Sequence, residues 1–163
     1  MIFCILCKRG DNYEVTTGKK KRKREQLIKL WTKSWTEKNN LGIEKVFAPD
    51  VHYIRSWGPE YHGLLELQYW FSEKNDRATI IKWDINGFMH DGNATIAHWD
   101  VEEKKNKKVE HLEGISLIRW NEDEKVEYVQ HFASNMNRFD PYQNTDYPNY
   151  SDQQIKRFND LHN

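Results

Sequence analysis

Apolar and polar residues follow two different periods along this chain. In the first half, apolar residues recur at spacings of three and four, and Leu27, Leu30, Trp31 and Trp35 form one such stripe. This spacing predicts amphipathic helices, because residues three and four apart lie on one helix face. From residue 80 onward the period changes to two, which is typical of half-buried strands. Helices followed by a run of strands indicate an α+β fold.

Breaks in these patterns set the expected elements. Helices are expected to begin at Glu25, near Ile43 and near Gly63, with a strand over residues 51–57 before the last of them. Asp91-Gly92 predicts a tight hairpin, because both residues tolerate the positive φ of a type I′ turn. Four successive strands are predicted in the second half, over residues 80–90, 93–104, 108–120 and 125–133.

Charge divides the chain further. It holds 25 Lys and Arg against 25 Asp and Glu, yet residues 1–24 carry a net charge of +6 and the remainder −6. Residues 1–23 are therefore expected to be a basic, disordered tail, before a folded domain over residues 24–140 and a polar extension over residues 141–163. Ser151 and Gln154 in that extension have the spacing that caps a short terminal helix.

The remaining composition excludes several classes of protein. The acidic domain is a poor surface for nucleic acid, which requires a basic face. Cys4 and Cys7 are the only cysteines and no second pair follows to complete a zinc site, so neither a metal nor a cofactor is expected. Low cysteine usage favours the reducing cytoplasm. No run of 18 apolar residues occurs, so no membrane-spanning helix is expected.

Alternation also assigns the strand residues to the two faces of the sheet. A two-residue turn at Lys105-Asn106 would place Thr95 opposite Ser116, and the next hairpin would place Ser116 opposite Gln130. In the strand over residues 80–90 the alternation changes phase near Asn86-Gly87, which predicts a β-bulge at that point.

Several short motifs stand in a specific order: Phe47-Ala-Pro-Asp-Val-His-Tyr53, Tyr61-His62-Gly63, Asp91-Gly92-Asn93 and Glu113-Gly-Ile-Ser-Leu-Ile-Arg-Trp120. Over about residues 24–140, their order resembles the SnoaL-like branch of the nuclear transport factor 2-like superfamily. The resemblance implies a cone-shaped, curved antiparallel sheet packed against N-terminal helices, with a pocket between them. It implies no single activity, because the superfamily includes isomerases, cyclases, epoxide hydrolases, dehydratases and non-catalytic binders.

The residues expected on the inner face combine aromatic walls, neutral hydrogen-bonding groups and one cation. Such a lining is typical of a pocket for a small molecule, although a filled core whose polar atoms satisfy one another is the alternative. The expected ligand-binding residues are Tyr53, Arg55, Trp57, Trp83, Trp99, Ser116, Tyr128 and Gln130.

General acid–base catalysis usually requires a histidine or a carboxylate in the pocket, and simple alternation places neither there. His131 would point inward only if a bulge turned it, and His62 lies at the expected rim; these are the two candidates for catalysis. One hypothesis is therefore a non-catalytic domain that binds a small hydrophobic molecule. The alternative is an isomerase, cyclase or hydrolase that acts on a carbonyl-containing hydrophobic substrate. A protein–protein adaptor is a third hypothesis.

The outer face of the sheet carries apolar residues, which predict a homodimer through that face. They are Ile96, Ile115, Leu117, Val129 and Ala133. The expected register also places His98 opposite Glu113 and Asp100 opposite His111. We interpret these as cross-strand ion pairs rather than metal ligands, because flat sheet faces seldom converge ligands on one point.

Overall fold

The computed structural model describes residues 7–105, 107–136, 138–143 and 146–150. Within these ranges, three helices cover one face of a six-stranded sheet. The helices are α1 (Cys7–Thr36), α2 (Ile43–Val46) and α3 (Gly63–Arg77). The strands are β1 (Phe47–Ile54), β2 (Glu60–His62), β3 (Ala78–Asp91), β4 (Ala94–Lys105), β5 (Lys108–Trp120) and β6 (Val126–Asn135).

The sheet is open and mixed. Its strand order is β2-β1-β6-β5-β4-β3, so β2 and β3 form its edges. β1 runs parallel to β6, whereas the other neighbouring strands are antiparallel. The expected α+β fold, with helices on a curved sheet, is confirmed. The expectation of an antiparallel sheet is corrected at one place, because β1 runs parallel to β6, the last strand of the meander.

The four strands predicted in the second half are confirmed, with ends within two residues of the predicted ones. The first strand differs more. It covers Phe47–Ile54 instead of residues 51–57, because the chain turns after Ile54 and the Arg55 N–H donates to the Pro59 carbonyl at 2.8 Å. The short strand β2 after this turn was not predicted.

Helix α1 begins earlier than the sequence pattern predicted. It starts at Cys7 instead of Glu25, so the basic residues 19–24 are helical. Lys and Arg favour helices, which explains why the helix continues through this run. No helix in the described ranges combines the length and the apolar character needed to cross a bilayer. The division into tail, domain and extension stays a prediction, and the helix expected at Ser151 lies outside the described residues.

Arg24 fixes α1 to the sheet. Its guanidinium contacts Glu124 at 2.7 Å and donates to the Gly92 carbonyl at 2.8 Å, and its side chain lies over the Trp120 ring. Lys20, one helical turn earlier, contacts the same carboxylate at 3.2 Å. These contacts join the basic part of the helix to the turns before β4 and before β6.

The core between the helices and the sheet is aromatic. Trp31 and Trp35 of α1 meet edge-on, with ring centroids 5.3 Å apart. Trp31 also packs edge-on against Phe47 at 4.9 Å, and Trp35 against Phe71 at 4.6 Å. The helical stripe seen in the sequence thus forms the contact between α1, α3 and β1.

Strands β4 and β5 pair in a different register from the predicted one, without changing faces. Ala97 lies opposite Ser116, and Thr95 lies opposite Ile118. Lys105 pairs with Lys108, so the turn lies one residue later than expected. Each residue of β4 therefore pairs with a residue of β5 two positions beyond the expected one. Because side chains alternate with a period of two, the same side chains stay on the inner face.

Bulges set the faces of β3 and β6, and β3 has a further register shift between Ile80 and Lys82. The bulge expected in β3 is confirmed, because Ile85 and Gly87 pair with consecutive residues of β4 and leave Asn86 unpaired. The bulge in β6 was not predicted. Trp120 pairs with Val126 as expected. The next residue of β5, Arg119, pairs with Tyr128, so residue 127 is extra. One extra residue exchanges the two faces of the strand beyond it.

Candidate functional site

A cavity of about 60 Å³ lies between the helices and the inner face of the sheet. A second space of about 20 Å³ shares Trp83, Trp99 and His131 with it. The walls of the larger cavity combine aromatic rings and aliphatic side chains with several polar groups, which is typical of sites for small molecules. Its rings belong to Trp35, Tyr53, Trp57, Trp70, Trp83 and Trp99.

Four polar side chains form one continuous hydrogen-bonded chain beside the cavity. The Trp99 indole N–H donates to Ser116 Oγ at 2.8 Å, and Ser116 Oγ lies 2.8 Å from His131 Nδ1. On the other side of the imidazole, His131 Nε2 lies 2.6 Å from the Tyr53 hydroxyl oxygen. Strands β4, β5, β6 and β1 each contribute one member, so the register of four strands fixes this polar chain.

The chemistry of these groups gives the polar chain a direction. An indole N–H can only donate, so Ser116 Oγ accepts from Trp99, and it donates its own hydrogen to His131 Nδ1 when the imidazole hydrogen is on Nε2. A neutral imidazole that accepts at Nδ1 donates at Nε2, and the Tyr53 oxygen accepts that hydrogen. The opposite tautomer would leave the Ser116 O–H, in the wall of the smaller space, without an acceptor among the described residues, whereas this one leaves the Tyr53 O–H, in the wall of the larger cavity, without one.

Burial keeps both titratable members of the polar chain uncharged. His131 is 8% exposed, and desolvation, helped by the positive charge of Arg55, lowers its pKa to about 3. Tyr53 is 1% exposed, and its burial raises the pKa of the phenol far above the ordinary value of 10.0. At neutral pH the site therefore offers a neutral imidazole and a protonated phenol.

Arg55 brings a positive charge to the cavity wall. Its guanidinium carbon lies 5.2 Å from the Trp70 ring centroid and 5.5 Å from the Trp57 ring centroid, both contacts of the cation–π type. Among the described residues, no carboxylate forms an ion pair with Arg55. This charge thus remains available to a molecule that enters the cavity.

A second pair of charges in the wall is neutralised internally. Lys74 of α3 and Glu103 of β4 form a hydrogen-bonded ion pair, and both side chains are largely buried. Burial lowers the pKa of Lys74, while the hydrogen bond to Glu103 opposes that change. The pair therefore joins α3 to the sheet and adds no net charge to the cavity.

Gly114 makes room for the indole of Trp99. The two residues are cross-strand partners, and a Cβ atom on Gly114 would lie 2.7 Å from the Trp99 ring and 2.3 Å from the Phe132 carbonyl oxygen. A side chain at this position would displace the ring that begins the polar chain. Gly114 is thus a packing requirement of the site, and sequence reasoning did not identify it.

The structure brings most of the predicted ligand-binding residues together. The residues that line the larger cavity are Tyr53, Arg55, Trp57, Trp83 and Trp99, and Ser116 lines the smaller one. Tyr128 and Gln130 do not belong to either lining. They point to the outer face, where the Tyr128 hydroxyl donates to the Gln130 side-chain oxygen at 2.8 Å. Their placement was wrong because of the bulge at residue 127.

The expectation of a cavity without histidine or carboxylate is also wrong. The same bulge turns His131 inward, into the walls of both spaces. Glu103 lies on the inner face of β4 with Trp99, and the alternation of that strand could have identified it. Trp35 and Trp70, both core positions of helices, complete the wall.

The outer face differs from expectation for the same reasons. Val129 and Ala133 point inward, and Phe132 takes their place outside with 48% exposure. The expected pairs of His98 with Glu113 and of Asp100 with His111 do not form. His111 instead lies opposite Glu102, with 3.7 Å between Nδ1 and Oε1, because the register of β4 and β5 is shifted.

His62, the second candidate for catalysis, does not line the cavity. It lies on β2, directly opposite His52 of β1, and both imidazoles contact the carboxylate of Glu60. Within the described part of the chain, these three side chains are the group whose ligand atoms lie close enough together to hold a metal ion.

Comparisons with known proteins agree with this architecture. The SnoaL-like domain family matches residues 28–129. One similar structure is a hypothetical protein with a ketosteroid isomerase-like fold from Catenulispora acidiphila, in complex with trimethylamine. It is 15% identical, with a TM-score of 0.59 over 68% of this chain and 85% of that one.

Two enzymes share the fold at lower identity. An epoxide hydrolase from M. tuberculosis is 7% identical, with a TM-score of 0.59 over 67% of this chain and 80% of that one. A steroid delta-isomerase from Pseudomonas aeruginosa is 13% identical, with a TM-score of 0.52 over 69% of this chain and 80% of that one. No curated protein matches the chain significantly. At these identities the similarity concerns the fold alone.

Proposed function

This chain belongs to the SnoaL-like domain family, and we propose that its cavity binds a small, largely apolar molecule that carries one acceptor oxygen. The observation that supports this proposal is the directed chain from Trp99 through Ser116 and His131 to Tyr53. Because the Tyr53 oxygen accepts from His131, its own O–H has no acceptor among the described residues. A ligand oxygen would complete the chain, and successive donors polarise one another in such an arrangement.

The charge at the site favours an anionic or carbonyl oxygen over a cation. Arg55 is positive and lies in the cavity wall, whereas His131 is neutral. The indole N–H groups of Trp35 and Trp83 are also buried without acceptors among the described residues. Groups of this kind are usually satisfied in native proteins, and they add to the preference for a ligand that accepts hydrogen bonds.

The cavity volume limits the size of the ligand. A water molecule needs about 10–15 Å³ of such space. The larger cavity, at about 60 Å³, therefore holds a ligand of only a few heavy atoms. Trimethylamine in the Catenulispora protein is of this size, but a positively charged amine would lie close to Arg55 here. Short branched acids and ketones fit both the volume and the charge.

A matched pair of ligands tests the proposal. Isobutyrate and methyl isopropyl ketone have nearly the same shape, and they differ by one charged oxygen. Both ligands are expected to bind. Tryptophan fluorescence should report the binding, because five Trp rings line the cavity. Tyr53→Phe is expected to weaken both ligands about tenfold, and Arg55→Gln to weaken isobutyrate more than the ketone. Tyr69→Phe, on an exposed surface, serves as the control. Equal affinities in all variants would overturn the proposal.

A second function is favoured by the carboxylate in the cavity wall. In this alternative the protein is an isomerase, cyclase or hydrolase. In an isomerase or cyclase, Glu103 would take a proton from the carbon next to a carbonyl, while Tyr53 donates a hydrogen bond to the enolate oxygen that forms. Proton NMR in deuterated water would report exchange at the carbon next to the ketone carbonyl. Catalysis requires this exchange to be lost in both Tyr53→Phe and Glu103→Gln. The absence of exchange by the parent protein, with binding intact, would exclude an isomerase or cyclase that acts through an enolate.

We also propose that the protein is a cytoplasmic homodimer that associates through the outer face of the sheet. Three apolar side chains on that face support this assembly, with exposures of 64% for Met89, 38% for Ile115 and 48% for Phe132. Phe132→Lys would bury an unpaired charge in the interface and is expected to give the monomer mass in light scattering. Leu65→Lys, on α3, is the control. A parent protein that is monomeric at high concentration would contradict the assembly.

A further inference from the structure

Three potential metal ligands converge on the outer face of the hairpin formed by β1 and β2. His52 lies directly opposite His62, and Ile54 lies opposite Glu60, so Glu60 is the diagonal neighbour of His52. Residues 53 and 61 of the same strands point into the protein, which places all three ligand side chains on the other side. Backbone pairing, instead of a flexible loop, therefore holds them together.

The geometry brings the ligand atoms to one point. His52 Nε2 lies 2.7 Å from Glu60 Oε2, and His62 Nε2 lies 3.7 Å from Glu60 Oε1. The two imidazole rings are stacked, with centroids 4.5 Å apart and planes inclined by 21°. One ligand atom from each residue lies within 4.8 Å of the other two. Small rotations of exposed side chains would bring all three to the bond lengths of about 2.0–2.2 Å that zinc requires.

The local charges also suit a cation. The carboxylate of Glu60 accepts a hydrogen bond from His52, and its second oxygen faces His62. Among the described residues, no lysine or arginine forms an ion pair with this carboxylate. Glu60 is therefore an anion whose partners are imidazoles, and imidazoles are metal ligands when neutral.

We propose that His52, Glu60 and His62 form a binding site for one Zn²⁺ ion. Two imidazole nitrogens and one carboxylate are ordinary ligands for this metal, and three protein ligands leave a fourth position for water. The site lies on the face of the sheet opposite the cavity, so it does not depend on the function proposed for the cavity. The sequence did not predict this site. Its ligands lie eight and two residues apart, and only the turn between β1 and β2 brings them together.

Calorimetric titration of the full chain with ZnCl₂ tests this proposal. Cys4 and Cys7 are both replaced by Ser in every sample, so that thiolates, which are zinc ligands, cannot contribute to the signal. The parent is expected to bind one ion with saturation. Each of His52→Ala, Glu60→Gln and His62→Ala is expected to lower the affinity at least about tenfold, since even indirect supports of a metal site contribute that much. His111→Ala serves as the matched control, because His111 also faces a carboxylate on the outer face.

Cobalt supplies a second and independent readout. Co²⁺ in a four-coordinate site with two imidazoles absorbs visible light far more strongly than the hydrated ion, and addition of Zn²⁺ should remove this absorption. Unchanged circular dichroism of the three variants would show that they fold. Saturable binding that persists unchanged in all three variants, or a parent without saturable binding or a cobalt spectrum, would overturn the assignment.

Discussion

His52 and Tyr53 are neighbours on one strand, yet they belong to two histidine sites with opposite properties. Tyr53 points inward and bonds to His131, which is 8% exposed and has a pKa lowered to about 3. His52 points outward, and its side chain is 34% exposed beside Glu60. Because strand residues alternate between faces, one step along the backbone separates a dry site from a wet one.

The difference shows that environment, and not residue type, decides what a histidine can do. On the inner face of the sheet, desolvation holds the His131 imidazole neutral, and hydrogen bonds to Ser116 and Tyr53 make it part of the fold. Outside, the His52 imidazole is partly exposed to water, and it can exchange its contact with Glu60 for a metal ion. The inner site is therefore expected to contribute to stability and the outer site to contribute little, and four measurements test this contrast.

Gly114→Ala should produce the largest effect, and only on the inner site. The new Cβ would lie 2.3 Å from a backbone carbonyl oxygen and 2.7 Å from the Trp99 ring, so the backbone must move. We expect a loss of about 3–5 kcal/mol in the free energy of unfolding, measured by urea denaturation. Gly87→Ala is the control, because nothing lies within 4 Å of a Cβ there. Equal losses in both variants would refute the packing argument.

His131→Leu should be the next most damaging change. It keeps the bulk of the side chain but leaves Ser116 and Tyr53 without their partner in a buried position. We expect a loss of about 2–3 kcal/mol in the free energy of unfolding, because unsatisfied buried groups retain their desolvation penalty. A variant as stable as the parent would mean that the polar chain contributes nothing to the fold.

The pH dependence of stability should separate the two histidine sites. The pKa of His131 is depressed on folding, so between about 6.5 and about 3 the unfolded chain binds a proton that the folded chain does not. Its contribution to stability is therefore complete above about pH 6.5 and is lost as the pH falls, by at most about 1.4 kcal/mol per pH unit.

The variant His131→Leu supplies the reference for this measurement. It cannot take up that proton, so the difference in stability between it and the parent should shrink as the pH falls below about 6.5. The remaining titratable groups are the same in both proteins, so their contributions to stability cancel in the difference. A gap that stays constant down to pH of about 5 would show that His131 is not held neutral by the fold.

His52→Ala should produce the smallest effect on stability. Exposed ion pairs contribute little, so the free energy of unfolding is expected to match that of the parent within error. The same variant is expected to lose zinc affinity, which gives a combination opposite to that of His131→Leu. A large loss of stability in metal-free buffer would mean that the outer cluster belongs to the fold instead of forming a labile site.

Regular alternation allowed much of the cavity wall to be predicted. Trp99 of β4 and Ser116 of β5 lie inside as expected, although their strands pair in another register. Both residues still lie on the predicted face, because a register shift of two residues leaves the direction of each side chain unchanged. The bulge in β3 was also visible, since two sets of apolar residues in one strand differ in phase and Asn86-Gly87 lies between them.

The last strand could not be predicted in the same way. Tyr128, Val129, Gln130 and His131 all suit either face of a strand, so no residue type reveals the extra position before them. Only pairing with β5 on one side and with β1 on the other fixes the bulge at residue 127. The identity of the buried histidine depended on this single residue.

Local periodicity and turn residues were enough to predict the order of the three helices and the five longer strands, the aromatic stripe of α1, and the inner face of β4. Tertiary structure alone decided that β1 pairs with β6, that His131 joins Tyr53, and that His62 meets His52 and Glu60. These contacts join strands that are distant in sequence or separated by an irregular turn. Their free energy depends on the packing of the whole sheet, and no local pattern of residues encodes it.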